Sequence, residues 1–224
     1  MSLRSIQQLQ DALDAERVWR VRELSILRKK LLTGIPRTLP VSEAELAMLR
    51  PCVTMLYGHW EGFVKSACSS YLEYVAFQRL KQNEMQPQFL ALSARKYALN
   101  LGLSGAEADR AMVGYIRNQP EARGGIPYKG GVDTKMNLWF DVFSEIYDSL
   151  GLSWHEYELK KHLIDTKLVS KRNAIAHGKY IDIEPSDVEE LFDLIISLMD
   201  EIKEQLFDHA RNRRFALIPE PEAV

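Results

Sequence analysis

The stretch Lys171-Arg172-Asn173-Ala174-Ile175-Ala176-His177-Gly178-Lys179 holds the side chains of this 224-residue chain best suited to chemistry. Gly178 is placed to end a helix just after His177. His177 then sits in the last turn, where the helix dipole favours a protonated imidazole and the ring can give or take a proton near neutral pH. Arg172 is a permanent cation with a planar fork that grips phosphate through paired hydrogen bonds. Asn173 adds a neutral donor and acceptor. A phosphate clamp beside a proton-transfer group suits phosphodiester cleavage by the 2′-OH of RNA. That reaction needs no metal, because the nucleophile belongs to the substrate. Five residues on one continuous helix span ~500°, which leaves the two side chains ~140° apart. A second copy across a two-fold axis would supply a second Arg–His set, and with it both a base and an acid. The plainer alternative is that an Arg and a His at a helix end are ordinary surface residues.

Other catalytic signatures are absent from the sequence: no Walker loop, no dinucleotide glycine fingerprint, no G-x-S-x-G and no C-x-x-C. The histidines are His59, His155, His162, His177 and His209. His155 and His162 are seven apart and share a helical face, but they lack a third ligand, so no metal site and no cofactor is expected. His59 beside Gly58 and Trp60 reads as a satisfied core or interface group. Glu61 and Lys65 are four apart, as in an ordinary helical ion pair.

These side chains must be positioned by helices, because apolar residues recur at three and four rather than two. Leu9, Leu13, Val18, Val21, Leu24, Leu27 and Leu31 mark a first helix, stopped by Thr33-Gly34-Ile35-Pro36. Ser42 to Glu45 reads as a capping box that opens a short helix ending before Pro51. Pro51 suits the first turn of the next helix. Val53, Leu56, Trp60, Phe63, Val64, Ala67, Tyr71, Val75 and Leu80 then form one stripe, predicting a long helix over about 51–83. Shorter helices follow at about 88–99 and 105–117, the second led by the box Ser104 to Glu107. Asn118 to Asp133 is a Gly- and Pro-rich loop carrying Arg123, Tyr128 and Lys129, with Lys135 just beyond. It could grip single-stranded RNA by charge and stacking, or be a mobile connection. Leu138 to Leu150 reads as a helix closed by Gly151. Trp154 to His177 reads as helical with a break near Asp165. The box Ser186 to Glu189 starts the last helix, and the tail from Pro219 reads as frayed.

The reading is all-α, an up-and-down bundle in a single domain, 1–224. Its core helices lie at about 5–31, 51–83, 154–177 and 186–210, with a helical and Gly-rich insertion at about 84–150.

Arg172-Asn173-x-x-x-His177 resembles the R-x(4–6)-H signature of the HEPN superfamily, placed just before the final long helix as in that family. Tyr57-Gly58-His59-Trp60-Glu61-Gly62-Phe63-Val64-Lys65 resembles the second core helix of its MAE-type bacterial branch, which has an aromatic-rich W-E-x-F-x-K stretch, and Trp19-Arg20-x-Arg22-Glu23-Leu24 resembles the first helix of that branch. The resemblance implies a four- or five-helix core, dimerisation and metal-independent ribonuclease activity. It also implies a role as a toxin or phage-defence effector, with an antitoxin or defence protein as partner. Arg172 and His177 become catalytic and Asn173 accessory. Glu61 and Lys65 match polar positions that border the site, and Lys171, Lys179, Tyr180 and Lys129 are the expected RNA contacts. A toxin branch with R-x(4)-H-x-Y carries a modified Tyr. Here His177-Gly178-Lys179-Tyr180 is one residue longer, so that form of control is not implied. Other HEPN domains are binding modules without catalysis, which leaves binding of RNA, nucleotide or a partner protein as the alternative.

Lys+Arg 29 against Asp+Glu 31 gives a net charge of −2, which excludes a protein that coats nucleic acid through bulk charge. A small cleft can still concentrate positive potential locally. Hydrophobic residues at 46% and charged residues at 27% exclude disorder. No apolar run is long enough for a membrane span or a signal peptide, and the 2 cysteines offer no disulfide framework. A cytoplasmic location is the expectation.

Overall fold

Helix α1, Ile6–Leu32, turns Leu9, Leu13 and Leu24 into the core. The computed structural model describes residues 2–32 and 43–217. The stop at 33–36, the Ser42 capping box and the tail from Pro219 lie outside the described residues. Val18, expected on the buried stripe, is exposed, and Arg20 is buried instead. The cause lies across the interface. A Cβ on Gly62 would stand 3.0 Å from Arg20 Nη1, so the glycine makes room for the guanidinium. That group also stacks 4.3 Å from the Trp19 ring and donates to Glu16 at 2.9 Å. Beside it, His59 is buried with Nε2 3.2 Å from a Glu23 carboxylate oxygen. Burial lowers the His59 pKa, Glu23 opposes this and Arg20 adds to it.

Helix α2, Glu43–Phe77, is the central element. It is continuous through Pro51, where separate helices were expected, and it ends at Phe77 rather than near 83. Leu80 is still buried, but from the segment beyond the helix, after Arg79 adopts φ 55°. The predicted stripe is buried, and Tyr57, Cys68, Leu72 and Tyr74 are buried as well, so α2 is covered on more than one side. Cys52 and Cys68 are free and buried on this helix, and burial pushes both thiols up to about 12.

Helices α3, Pro87–Asn100, and α4, Gly105–Asn118, pack on each other. Ser104 stands at the N-cap of α4, but its side chain makes no capping bond. Gly105 at φ 54° takes the first turn off the helical path that the box requires. Helix α5, Phe140–Ser149, sets Phe140, Phe143 and Tyr147 into the core, with the Phe143 ring 5.4 Å from Trp60. Gly151 follows at φ 70°.

Residues 155–177 are less regular than one helix. A 3-10 turn over His155–Lys160 leads to a π-helical stretch, Leu163–Ser170, and then to the short helix α6, Lys171–Ala176. Helix α7, Pro185–Arg211, runs back along α1 and α2 and buries Val188, Leu191, Phe192, Ile195, Leu198, Met199, Ile202 and Leu206. The predicted box at Ser186 does not form. Pro185 has no N–H to satisfy and a pre-set φ, so the N-cap falls two residues earlier, at Glu184. Charged pairs tie α1 to α7, with Arg28 on Asp193 at 2.6 Å and Lys203 on Asp14 at 2.8 Å. Among the described residues there is no strand, only isolated bridges at Lys81–Arg123 and Met85–Ala216.

Candidate functional site

Arg172 leaves α6 toward α2 and lays its guanidinium 4.3 Å from the centre of the Tyr57 ring. Its Nη1 donates to Asn137 Oδ1 at 2.5 Å and to Asn173 Oδ1 at 2.8 Å. Among the described residues no carboxylate forms an ion pair with it. Two amide oxygens and a ring face therefore hold a cation without neutralising it, which leaves its charge to act on an incoming anion.

The support under this cation is hydrogen-bonded on all sides. Tyr57 oxygen accepts the Leu138 amide at 2.9 Å, and the Trp60 indole donates to the Leu138 carbonyl at 3.3 Å. Burial pushes the Tyr57 phenol up to about 12, so the ring stays neutral. One turn along α2, Glu61 accepts from the Thr134 hydroxyl at 2.7 Å. The Phe140 amide at the start of α5 donates to Asp165 at 2.8 Å, which ties the π-helical stretch to the same segment.

These bonds come from a strap that runs along α2. Its far end is the Tyr128 ring, 5.5 Å from Phe77. A Cβ on Gly131 would reach within 2.6 Å of Leu72 Cδ2, so the strap touches α2 again there. The strap meets α2 at Phe77, Leu72 and Tyr57 in turn, with a bend that sets the Pro127 carbonyl against Gly131 and left-handed backbone at Gly130 and Lys135. The Gly-rich loop is thus a bonded strap rather than a free connection. Asn137, just beyond that loop, is the strap residue that bonds to Arg172. Lys129, beside Tyr128, lies about 25 Å away at the other end of α2.

His177 closes α6 as expected. The Gly178 amide bonds to Ile175 O at 3.0 Å and the Lys179 amide to Ala174 O at 2.9 Å, with Gly178 at φ 69°. This pattern satisfies the last carbonyls of the helix. The imidazole is exposed and has no hydrogen-bond partner among the described residues. Within one chain Arg172 turns inward and His177 outward, in keeping with their spacing.

The other expected residues divide. Asn173 touches Arg172, and Glu61 lies beside it through Tyr57 and Thr134. Lys65 is exposed and forms no ion pair with Glu61, whose carboxylate accepts from Thr134 instead. Lys171 is bound to Asp187 at 2.5 Å, which spends its charge within the fold. The Lys179 carbonyl accepts from Arg50 at 2.7 Å, and the exposed Tyr180 ring faces Arg50 at 5.8 Å. Sequence reasoning missed Asn137, Tyr57 and Thr134. Tyr57 had a signal, since it lies one turn before Glu61, but Asn137 and Thr134 sit in loop sequence with no period. Among the described residues no cluster of His, Cys, Asp or Glu could hold a metal ion.

A family profile described as RiboL-PSP-HEPN matches residues 15–208, a span that includes the later part of α1, the site and most of α7. No curated protein and no solved structure matches the chain. No helix among the described residues is long and apolar enough to cross a membrane.

Proposed function

The chain belongs to the RiboL-PSP-HEPN family, and from that premise we propose that it is a metal-independent endoribonuclease working as a homodimer. The observation that carries the reading is the Arg172 guanidinium, held by Asn137, Asn173 and the Tyr57 ring without a paired carboxylate. In the proposed reaction the RNA 2′-oxygen attacks the adjacent phosphorus and loses its proton to one His177. The P–O5′ bond breaks, and the leaving oxygen takes a proton from the second His177. Products are a 2′,3′-cyclic phosphate and a 5′-hydroxyl. Arg172 stabilises the charge that builds on the non-bridging oxygens. The outward His177 and inward Arg172 support the need for a second copy to complete the site. The similarity to the MAE-type branch, and a role as a toxin or phage-defence effector in the cytoplasm, belong to the same proposal.

The test is RNA incubated with pure protein in excess EDTA. Cleavage should persist, and His177→Ala should lower it by about 10²–10⁴-fold. Equal cleavage by the variant overturns the assignment. Scattering should show a particle near twice 25.8 kDa, and a fully active monomer would remove the shared site. The second reading, a non-catalytic module, predicts RNA or nucleotide binding with no cleavage and no growth arrest on expression.

A further inference from the structure

We propose that the cavity between α2 and the segment after His177 is a nucleobase subsite, and that it selects guanine. This rests on the ribonuclease reading above. The cavity measures about 270 Å³, and Glu43, Ala47, Arg50, Tyr180, Asp182 and Ile183 line it. Its wall is fastened to the site, because Arg50 bonds to Lys179 O at 2.7 Å, two residues past His177. Arg50 and Tyr57 are seven residues apart on α2. They share a face about 10 Å apart along its axis, and Tyr57 carries the Arg172 guanidinium. A base in the cavity therefore sits beside a phosphate held at Arg172.

The lining has the chemistry of a base site. Tyr180 is 82% exposed, and its described ring contact is the Arg50 guanidinium at 5.8 Å. An exposed aromatic ring braced by an arginine is a stacking platform for any base. Ala47 and the buried Ile183 supply apolar surface for the base plane. Selectivity comes from Asp182 and Glu43, which as carboxylates only accept hydrogen bonds. Guanine presents two neighbouring donors on its Watson–Crick edge, N1–H and the 2-amino group, which match the two oxygens of one carboxylate. Adenine and cytosine pair one amino donor with a ring acceptor. Uracil sets one N–H between two carbonyls that a carboxylate repels.

The experiment measures binding and cleavage separately. Binding uses 5′-fluorescein tetranucleotides made wholly of 2′-O-methyl residues, which cannot be cut, containing either one guanine among uracils or uracil alone. Wild type should hold the guanine tetramer about tenfold or more tighter. Asp182→Asn should remove that difference, whereas Tyr180→Ala should weaken the binding of both tetramers. Cleavage of a randomised RNA pool should place guanine beside the cut, and Asp182→Asn should erase the bias. Guanine-selective binding without cleavage supports the subsite and overturns the nuclease reading. Cleavage without guanine bias, or with a bias that Asp182→Asn leaves unchanged, overturns the subsite and leaves the nuclease reading standing. Neither selective binding nor cleavage overturns both.

Discussion

At the scale of residues, the position of Arg172 depends on neutral partners. Asn137 contributes one acceptor and no charge, so Asn137→Ala should loosen the guanidinium without unpairing a buried ion. Loss of one such bond is worth about 1 kcal/mol, which predicts a fall of about fivefold in kcat/KM with little change in Tm. Unchanged kinetics would make that contact incidental. Tyr57→Phe separates the two jobs of the residue. The ring remains beneath Arg172, but the buried Leu138 amide loses its acceptor. Thermal unfolding should show a loss of about 1–3 kcal/mol. An unaltered Tm would mean that the tyrosine oxygen does not anchor the strap.

Among the elements, the strap and α2 divide the work of building the site. Helix α2 supplies a rigid row, Tyr57 and Glu61, and the strap brings Thr134, Asn137 and Leu138 against it. Gly131 has no room for a side chain, because a Cβ there would collide with the Pro127 carbonyl of the preceding turn and stand 2.6 Å from Leu72 on α2. Backbone cannot yield as a side-chain tip can. Gly131→Ala should therefore lift the strap, costing about 1–3 kcal/mol in chemical denaturation and lowering cleavage as well. Gly58 is the contrasting case, a helical glycine with nothing within 4 Å of its would-be Cβ. Gly58→Ala should stabilise by about 0.5–1 kcal/mol. If both variants behave alike, the strap is not clamped as described.

The whole molecule carries a pH dependence set away from the site. His209 on α7 is 7% exposed, with Nδ1 2.6 Å from the Tyr71 hydroxyl and Nε2 3.1 Å from Gly151 O. The network joins α2, α7 and the turn after α5. Burial first, and Arg214 second, lower its pKa from 6.5 to about 4. The unfolded chain thus binds a proton at His209 before the folded one does. Stability from this group is full above pH 6.5 and is lost as pH falls toward 4, by about 3 kcal/mol in all. Denaturant melts across that window should show the loss, and His209→Gln should flatten it. An equally steep slope in the variant would assign the acid sensitivity to other groups.

The amino-acid sequence by itself determined that the chain is helical, because spacing of three and four is a local property that each segment carries alone. It also located Arg172 and His177, since Gly178 ends the helix there through its own backbone freedom. Helix ends were less legible. Pro51 passes inside α2, and the boxes at Ser104 and Ser186 do not form, because Gly105 and Pro185 reset the backbone beside them. Tertiary structure alone decided which residues meet. Arg20 replaces Val18 in the core because Gly62, on another helix, leaves space for it. Asn137 reaches Arg172 from thirty-five residues away, and Thr134 reaches Glu61 from seventy-three. Lys171 is spent on Asp187, while Arg172 next to it stays unpaired by any described carboxylate. Helical period states which face of a segment is apolar, but partners across the fold are set by how those faces pack. The site is the product of that packing.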